Sequence, residues 1–474
     1  MRPSLKSLAL TVVFLMGLLV ARPAQAQDPL RGRESLRERI DAFVRAEQKR
    51  LGVPGLAVGV VSHGRVVLAK GYGFANLEHQ VPVETDTLFQ SGSLGKMFTA
   101  TAVMLQVEAG RVSLSDSVTK YFPDAPATWK PITVRHLLTH TSGIKDLEGL
   151  LDERKDYTEQ EFAEFIYSLP LQFPAGLRWS YSNSGYVLLG ILVNRVAGMT
   201  YQEVLGRQVF KPAGMKTARG ISEADVIPNR AAGYQLVGGV VRNQRWVSQS
   251  LNTTGDGALY FSLKDMLAWE EAVEKRDVLS RGSWKEMLSP AKLNSGAPWP
   301  YGFGWEVLER NGQPLHQHTG AWQGFRTAYA RFLGDGLSIV VLANMDRSNP
   351  MLFVEGIAAI VNPALAVPPL KPIPDTEPEV TAFLTELLEK TRQGAWEPSM
   401  FAYVPDRYFE EAGPVFQSLL QTLGPAGPLV LAKRETKGDD RIYTYLVQFG
   451  TATWRYRVGL TADNRVTLFT LQVN

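Results

Sequence analysis

Cysteine is absent from all 474 residues. The chain therefore has no disulfide framework, no thiol nucleophile, no thiolate metal site and no cysteine to carry a lipid anchor. Charge is sparse as well, at 20% of residues, with a formal net charge of +3. That excess belongs to the N-terminus. Residues 1–26 hold three basic and no acidic side chains, and without them the 50 basic residues fall to 47, equal to the 47 acidic ones. Nothing in this balance points to nucleic acid or another polyanion as a partner. The apolar stretch from Leu8 to Val20 follows Arg2 and Lys6 and precedes Ala24-Gln25-Ala26. It is too short to span a bilayer comfortably, and the pattern is that of a secretory signal peptide over residues 1–26. The expectation is a bacterial periplasmic or secreted protein without a stable membrane anchor. The sequence leaves its oligomeric state open.

What is present is enough for a large core. Hydrophobic residues make up 45% of the chain, and the length suits two or three domains. Residues 34–51 space Leu36, Ile40, Phe43 and Leu51 as one helical face. Two β-branched runs, Leu56–Val61 and Val66–Ala69, flank the hairpin turn "SHGR", and "FRTAYARFLGDGLSIVVLANM" repeats that pattern around Gly334-Asp335-Gly336. "MLFVEGIAAIVN" then reads as a closing helix. Sheet elements at both ends of a long helical middle predict an α+β (broadly α/β) fold, an antiparallel sheet flanked by helices and interrupted by a large helical insertion. Six prolines between Pro363 and Pro378 predict an extended linker, residues 366–378. It separates a main domain, 27–365, from a small C-terminal α+β module, 379–474, with one helix and four β-rich runs. No internal repeat or low-complexity tract is present.

Chemistry is suggested by "SGSLGKMFTATAVMLQVEAG", where Ser93 stands three residues before Lys96 at the head of an apolar helix. Residues three apart share a helix face, so the amine can reach the hydroxyl. A serine needs such a base before it attacks a carbonyl, and burial would lower the lysine's pKa toward that role. The spacing alone is weak. Ser117–Lys120 and Ser142–Lys145 have it too, and only Ser93–Lys96 opens a long apolar helix. Two further segments add weight: Tyr181-Ser182-Asn183 ahead of a second apolar helix, and His318-Thr319-Gly320 leading into a strand. A tyrosine can relay protons and an asparagine amide can hold a substrate amide or orient the lysine.

In that order, the three segments resemble the serine β-lactamase and penicillin-binding protein superfamily, nearest to its class C β-lactamase, D-alanyl-D-alanine carboxypeptidase and esterase branch. "VRHLLTHTSGI" and "YSNSGYVLLG" look like long stretches of that branch, and the resemblance covers roughly residues 34–362. It implies that Ser93 is the acylated nucleophile, that Lys96 is the base or shares that role with Tyr181, and that Tyr181 protonates the leaving group and activates the deacylating water. It further implies that Asn183 contacts substrate, that His318, Thr319 and Gly320 line the opposite wall, and that the N–H groups of Ser93 and Ala321 form the oxyanion hole. The substrate would be a small molecule or peptide with an ester, amide or β-lactam carbonyl, with no cofactor and no metal. The chain departs from efficient class C β-lactamases in carrying His318 where they usually have lysine, which makes it a poorer anchor for a carboxylate. Trp322 could narrow the cleft.

Other features are set aside. His136 and His140 stand four apart, but Leu137 occupies the place a metalloprotease glutamate would take. Trp299, Tyr301 and Trp305 read as core and cleft wall, with substrate contact by one of them as the alternative. The C-terminal module holds no recognisable nucleophile–base pair and looks like the nuclear-transport-factor-like appendages of some superfamily members.

Overall fold

The computed structural model describes residues 35–403, residue 409 and residues 413–473, so the expected signal peptide lies outside the described residues. Helix α1 (Leu36–Leu51) starts at a capping box between Ser35 and Glu38 and stops at Gly52, whose φ of 62° an L side chain adopts only with strain. Strands β1 (Gly55–Ser62), β2 (Arg65–Asn76) and β3 (Val81–Pro82) follow. The chain then leaves the sheet for a long insertion that includes α2 (Lys96–Glu108), α3 (Asn183–Ala197) and α4 (Leu263–Lys275). It returns as β4 (Glu306–Arg310), β5 (Gln313–Trp322), β6 (Phe325–Phe332) and β7 (Leu337–Ala343), and closes with α5 (Pro350–Val361). The seven strands order as β4-β5-β6-β7-β1-β2-β3, every pair antiparallel. The interrupted antiparallel sheet expected from the sequence is what forms.

Both faces of this sheet are covered, which is why β1 reads as a continuous apolar run instead of an alternating one. Leu56, Val58 and Val60 pack with Ile40 and Val44 of α1 and Phe353 and Ile357 of α5. Burying each such side chain stabilises the fold by about 1.5–3 kcal/mol. Ala57 faces the other way, into a core with Phe89, Phe98 and Trp269. Within the insertion, Leu88–Gln90 pairs with Leu259–Ser262. That pairing lays the turn after residue 90 against Gly257 and against the edge of β5.

Residues 366–377 contain no helix or strand. Beyond them come α6 (Pro378–Gln393), α7 (Gly413–Leu423), and β8 (Val430–Lys437), β9 (Asp440–Phe449), β10 (Ala452–Leu460) and β11 (Val466–Val473), which pair in that order. They have a core of their own, in which Leu384, Leu387 and Leu388 meet Tyr445, Tyr456 and Val458. Helix α7 was not expected: the sequence reading allows one helix here. Its opening Gly413-Pro414 reads as a break, yet a proline in the first turn of a helix forfeits no hydrogen bond.

Candidate active site

Ser93 lies in the 3-10 turn Gly92–Gly95 that runs directly into α2, and it is half-buried. The turn is pinned from two sides. Ser91 Oγ donates to the Gly257 carbonyl at 2.5 Å, and Thr327 Oγ1 of β6 donates to the Ser91 carbonyl at 2.7 Å. Gly92 has φ +52°, and a Cβ there would fall 2.4 Å from the Ala321 nitrogen. A Cβ on Gly320 would fall 2.0 Å from the Ser91 carbonyl. The edge of β5 therefore presses on the serine turn so closely that only glycine fits at either position. This brings the backbone of Ser93 and of Ala321 to one place.

Lys96 has no exposed surface. Its Nζ lies 3.1 Å from Ser93 Oγ, 2.7 Å from Asn183 Oδ1 and 2.6 Å from the Asp256 carbonyl. The last two partners only accept. They take two N–H bonds of the amine and aim its third direction at the serine. In the neutral amine that direction holds the lone pair. Burial lowers the Lys96 pKa from its ordinary 10.5 to about 8, against the opposing pull of Asp256, Asp146 and Glu148. The Asn183 amide is itself held: Nδ2 donates to Asp146 Oδ2 at 3.2 Å and to Glu148 Oε2 at 3.3 Å, which turns Oδ1 toward the lysine. Asp146 also accepts from the Asn183 N–H at the start of α3, and burial raises its pKa to about 6, with the Glu148 charge acting in the same sense. Tyr181 lines the cleft beside Ser93, and Lys96 Nζ sits 4.9 Å from its ring centroid. Burial holds the phenol protonated, well above its usual range.

His318 faces this group from β5, but both of its nitrogens are engaged. Nδ1 lies 2.6 Å from the Thr319 carbonyl, which can only accept, so Nδ1 carries the proton and Nε2 is the acceptor. Nε2 is 3.0 Å from the Tyr301 hydroxyl, and that hydroxyl is 3.2 Å from His140 Nε2. His140 Nδ1 accepts the Ser182 N–H at 3.1 Å, so its Nε2 donates. The protons of His140, Tyr301 and His318 thus all run one way with both rings neutral. Burial keeps them so, with His318 lowered to about 4 and His140 well below 6.5. The His140 ring also packs against Tyr181, tilted by 35° with centroids 4.4 Å apart.

The cleft over these groups encloses about 620 Å³, with Ser93, Tyr181, Asn183, His318, Thr319 and Trp322 in its lining. Trp322 is held there by a 2.8 Å bond from its Nε1 to Asn252. All eight residues singled out from the sequence, Ser93, Lys96, Tyr181, Asn183, His318, Thr319, Gly320 and Ala321, meet here. Sequence reasoning missed Asp146, Glu148 and Asp256, and weighed His140 only as a metal ligand and Tyr301 as wall or substrate contact. Their signal was position: His140 and Asp146 fall in or beside "HLLTHTSGI". His136, the other half of that pair, accepts the Thr133 N–H in a helix cap. Among the described residues no group of three His, Cys, Asp or Glu could hold a metal.

The β-lactamase family model matches residues 40–360, the sheet with its insertion and α5. The chain belongs to the β-lactamase family. Among its relatives in that family, penicillin-binding protein 4* of Bacillus subtilis is 29% identical over 60% of this chain and 66% of its own length. The D-aminopeptidase of Brucella canis is 30% identical over 70% of this chain and 64% of its own. The chain thus spans just under two thirds of each of these β-lactamase-family relatives. A solved structure, the octameric penicillin-binding protein homologue from Pyrococcus abyssi, shares the fold with a TM-score of 0.62 at 21% identity, over 92% of this chain and 99% of that one.

Proposed function

We propose that this chain is an exported serine hydrolase that works through an acyl-enzyme at Ser93. One observation carries the reading: the Lys96 amine, 3.1 Å from Ser93 Oγ, has its other two directions taken by pure acceptors. Lys96 accepts the Ser93 proton as Oγ bonds to the substrate carbonyl carbon. The carbonyl oxygen takes up the charge under the N–H groups of Ser93 and Ala321, donors whose loss typically slows such reactions about a hundred- to a thousandfold. Collapse expels the leaving group, which takes a proton from Tyr181. Water then adds to the ester with Tyr181 receiving its proton, the acid departs, and Ser93 regains its hydrogen. In this reading residues 27–365 carry the reaction, 366–378 link, and 379–474 form a separate module.

The substrate is an ester or amide with a free amine in preference to a terminal carboxylate. The charged side chains lining the cleft are four carboxylates, Glu148, Glu153, Asp256 and Glu306, and one guanidinium, Arg326. His318, neutral and doubly bonded, is no carboxylate anchor. A D-aminopeptidase among the relatives agrees with this preference. The rival substrate, a D-alanyl-D-alanine peptide, would have to anchor its carboxylate on Arg326.

Incubation with a fluorophosphonate, followed by intact mass, tests the acyl-enzyme. One adduct is expected on the wild type and none on Ser93→Ala, with turnover of p-nitrophenyl esters by the wild type only. No adduct with any acylating reagent sinks the proposal, and a permanent adduct without product makes the protein a sensor. Rates on D-alanine p-nitroanilide, nitrocefin and a D-Ala-D-Ala peptide then rank the substrates. The mass of the protein recovered from the medium or periplasm reads the export step, and an uncleaved N-terminus in a cell-associated protein contradicts it.

A further inference from the structure

The C-terminal module meets the rest of the chain at one point that bears on catalysis. Its β8–β9 turn, Gly438-Asp439, packs on the segment behind the catalytic tyrosine. The Gly438 N–H donates to the Pro298 carbonyl at 3.2 Å, and Ser295 Oγ donates to Asp439 Oδ2 at 3.0 Å. Gly438 lies on the Trp299 ring so closely that a Cβ would fall 2.9 Å from Trp299 Cε3 and 2.7 Å from Leu293 Cδ1. Trp299 in turn stacks on Trp179, with centroids 5.0 Å apart and planes 13° apart. Trp179 is 6.3 Å from the Tyr181 ring, 5.9 Å from His140 and 5.8 Å from Tyr301.

The same segment is gripped a second time. Asp440 pairs with Arg178, the two side chains being only 5% and 13% exposed, and also accepts from Thr467 Oγ1 at 2.8 Å. The Arg178 guanidinium lies 4.3 Å from the Tyr403 ring. Residues 178–182 have neither helix nor strand to hold them. Tyr181 therefore stands on irregular backbone three residues from an ion pair and two from an aromatic stack, both anchored in the C-terminal module. Lys437, just before the turn, acts by its charge on the cleft residue Glu306, opposing the burial that raises the pKa of that carboxyl.

We propose that the β8–β9 turn is a positioning element of the active site. Through Asp440–Arg178 and Gly438–Trp299–Trp179 it holds the 178–181 segment so that Tyr181 stays beside Ser93 and Lys96 in the cleft. The module is then part of the catalytic machinery's support and not an independent appendage. A misplacement of about 1 Å in such a group can cost up to a hundredfold in rate.

The test uses the full-length protein and the variants Asp440→Asn, Trp299→Ala and Trp299→Phe. Asp440→Asn and Trp299→Ala each lower kcat on p-nitrophenyl acetate, and the rate of fluorophosphonate labelling, by about tenfold while KM stays within about twofold. Trp299→Phe keeps the stack and restores most of kcat. Near-UV circular dichroism establishes that each variant is folded. Folded Asp440→Asn with wild-type kcat overturns the proposal, as does a Trp299→Phe that is no better than Trp299→Ala, or a loss that only follows the folded fraction. If Trp299→Ala does not fold, Asp440→Asn decides alone. The inference rests on the acyl-enzyme reading: a wild type that takes no label sinks both, whereas a labelled wild type with undiminished variants sinks only the positioning role.

Discussion

Among the described residues, two lysine or arginine side chains are almost fully buried, and their surroundings differ in kind. Arg331, on β6, is 3% exposed and faces carboxylates: Nε and Nη2 bond Glu270 at 2.9 and 3.1 Å, and Nη2 bonds Glu274 at 2.6 Å. Burial works against its charge, but Tyr329, Glu270 and Glu274 outweigh burial, and its pKa rises. Lys96 is as deeply buried, yet its three partners are a hydroxyl, an amide oxygen and a backbone carbonyl. The carboxylates Asp146 and Glu148 stand one residue further off, bonded to Asn183 and not to the amine. Burial therefore wins at Lys96, and the proton is held loosely. The same depth makes one cation permanent and leaves the other able to give up its proton, as the proposed base must; the difference lies in whether a carboxylate touches it.

Replacing each cation by methionine breaks the comparison most sharply. Lys96→Met removes the proposed base and is expected to lower kcat/KM by about a thousandfold or more, at the upper end of what general-base catalysis contributes. Its unfolding free energy should stay within about 2 kcal/mol of wild type, because losing a loosely tolerated charge offsets the two acceptors left without donors. The wild-type kcat/KM should rise with pH through about 8 as Lys96 gives up its proton. Stability follows the same group. The folded pKa of about 8 lies below the ordinary 10.5, so between these values the unfolded chain binds more protons and stability increases with pH. At about 1.4 kcal/mol per pKa unit the whole increase is about 3 kcal/mol, and Lys96→Met should lack it. A rate that ignores pH between 6 and 9 would assign proton transfer elsewhere.

Arg331→Met should do the reverse. It leaves Glu270 buried and unpaired and is expected to lose about 3–5 kcal/mol in urea unfolding, while kcat per folded molecule stays at wild type. A drop in kcat would mean the two cations are coupled through the core. Smaller again is Tyr301→Phe. It takes the acceptor from His140 and the donor from His318 in one step, expected to cost about 1–3 kcal/mol. Because His140 packs against the Tyr181 ring, kcat should also fall, by about five- to tenfold. Wild-type values for both would show that the three side chains do not act as a unit.

How far the site could be read in advance follows from the same contrast. Ser93 and Lys96 were legible because spacing along a helix is local, and the sheet was legible because covered strands read as apolar runs. The partners of Lys96 were not. Asp256 contributes a backbone carbonyl, which any residue could supply, and Asp146 reaches the lysine only through Asn183. His318 was read as a wall group and it lines the cleft, yet burial is what keeps it neutral, and the group that occupies its Nε2 is Tyr301, 17 residues away and without a signature of its own. In the C-terminal module the four strands were plain, whereas α7 was hidden behind Gly413-Pro414.

Ser117–Lys120 has the same interval as Ser93–Lys96 and none of its surroundings. Ser117 caps a three-residue turn through the Thr119 N–H, and Lys120 lies exposed, 2.9 Å from Asp116. That contact holds Lys120 above its usual pKa, the opposite of Lys96, because solvent replaces burial and a carboxylate touches the amine directly. Lys120→Ala should leave kcat, KM and the pH profile at wild type and shift the melting temperature no more than exposed ion pairs ordinarily do. Asp116 keeps its bond from the Tyr121 hydroxyl, so the carboxylate is not left bare. Were Lys120→Ala to slow the reaction as Lys96→Met does, burial and choice of partner would not be what distinguishes a base from a surface charge, and the assignment of Lys96 would lose its physical ground.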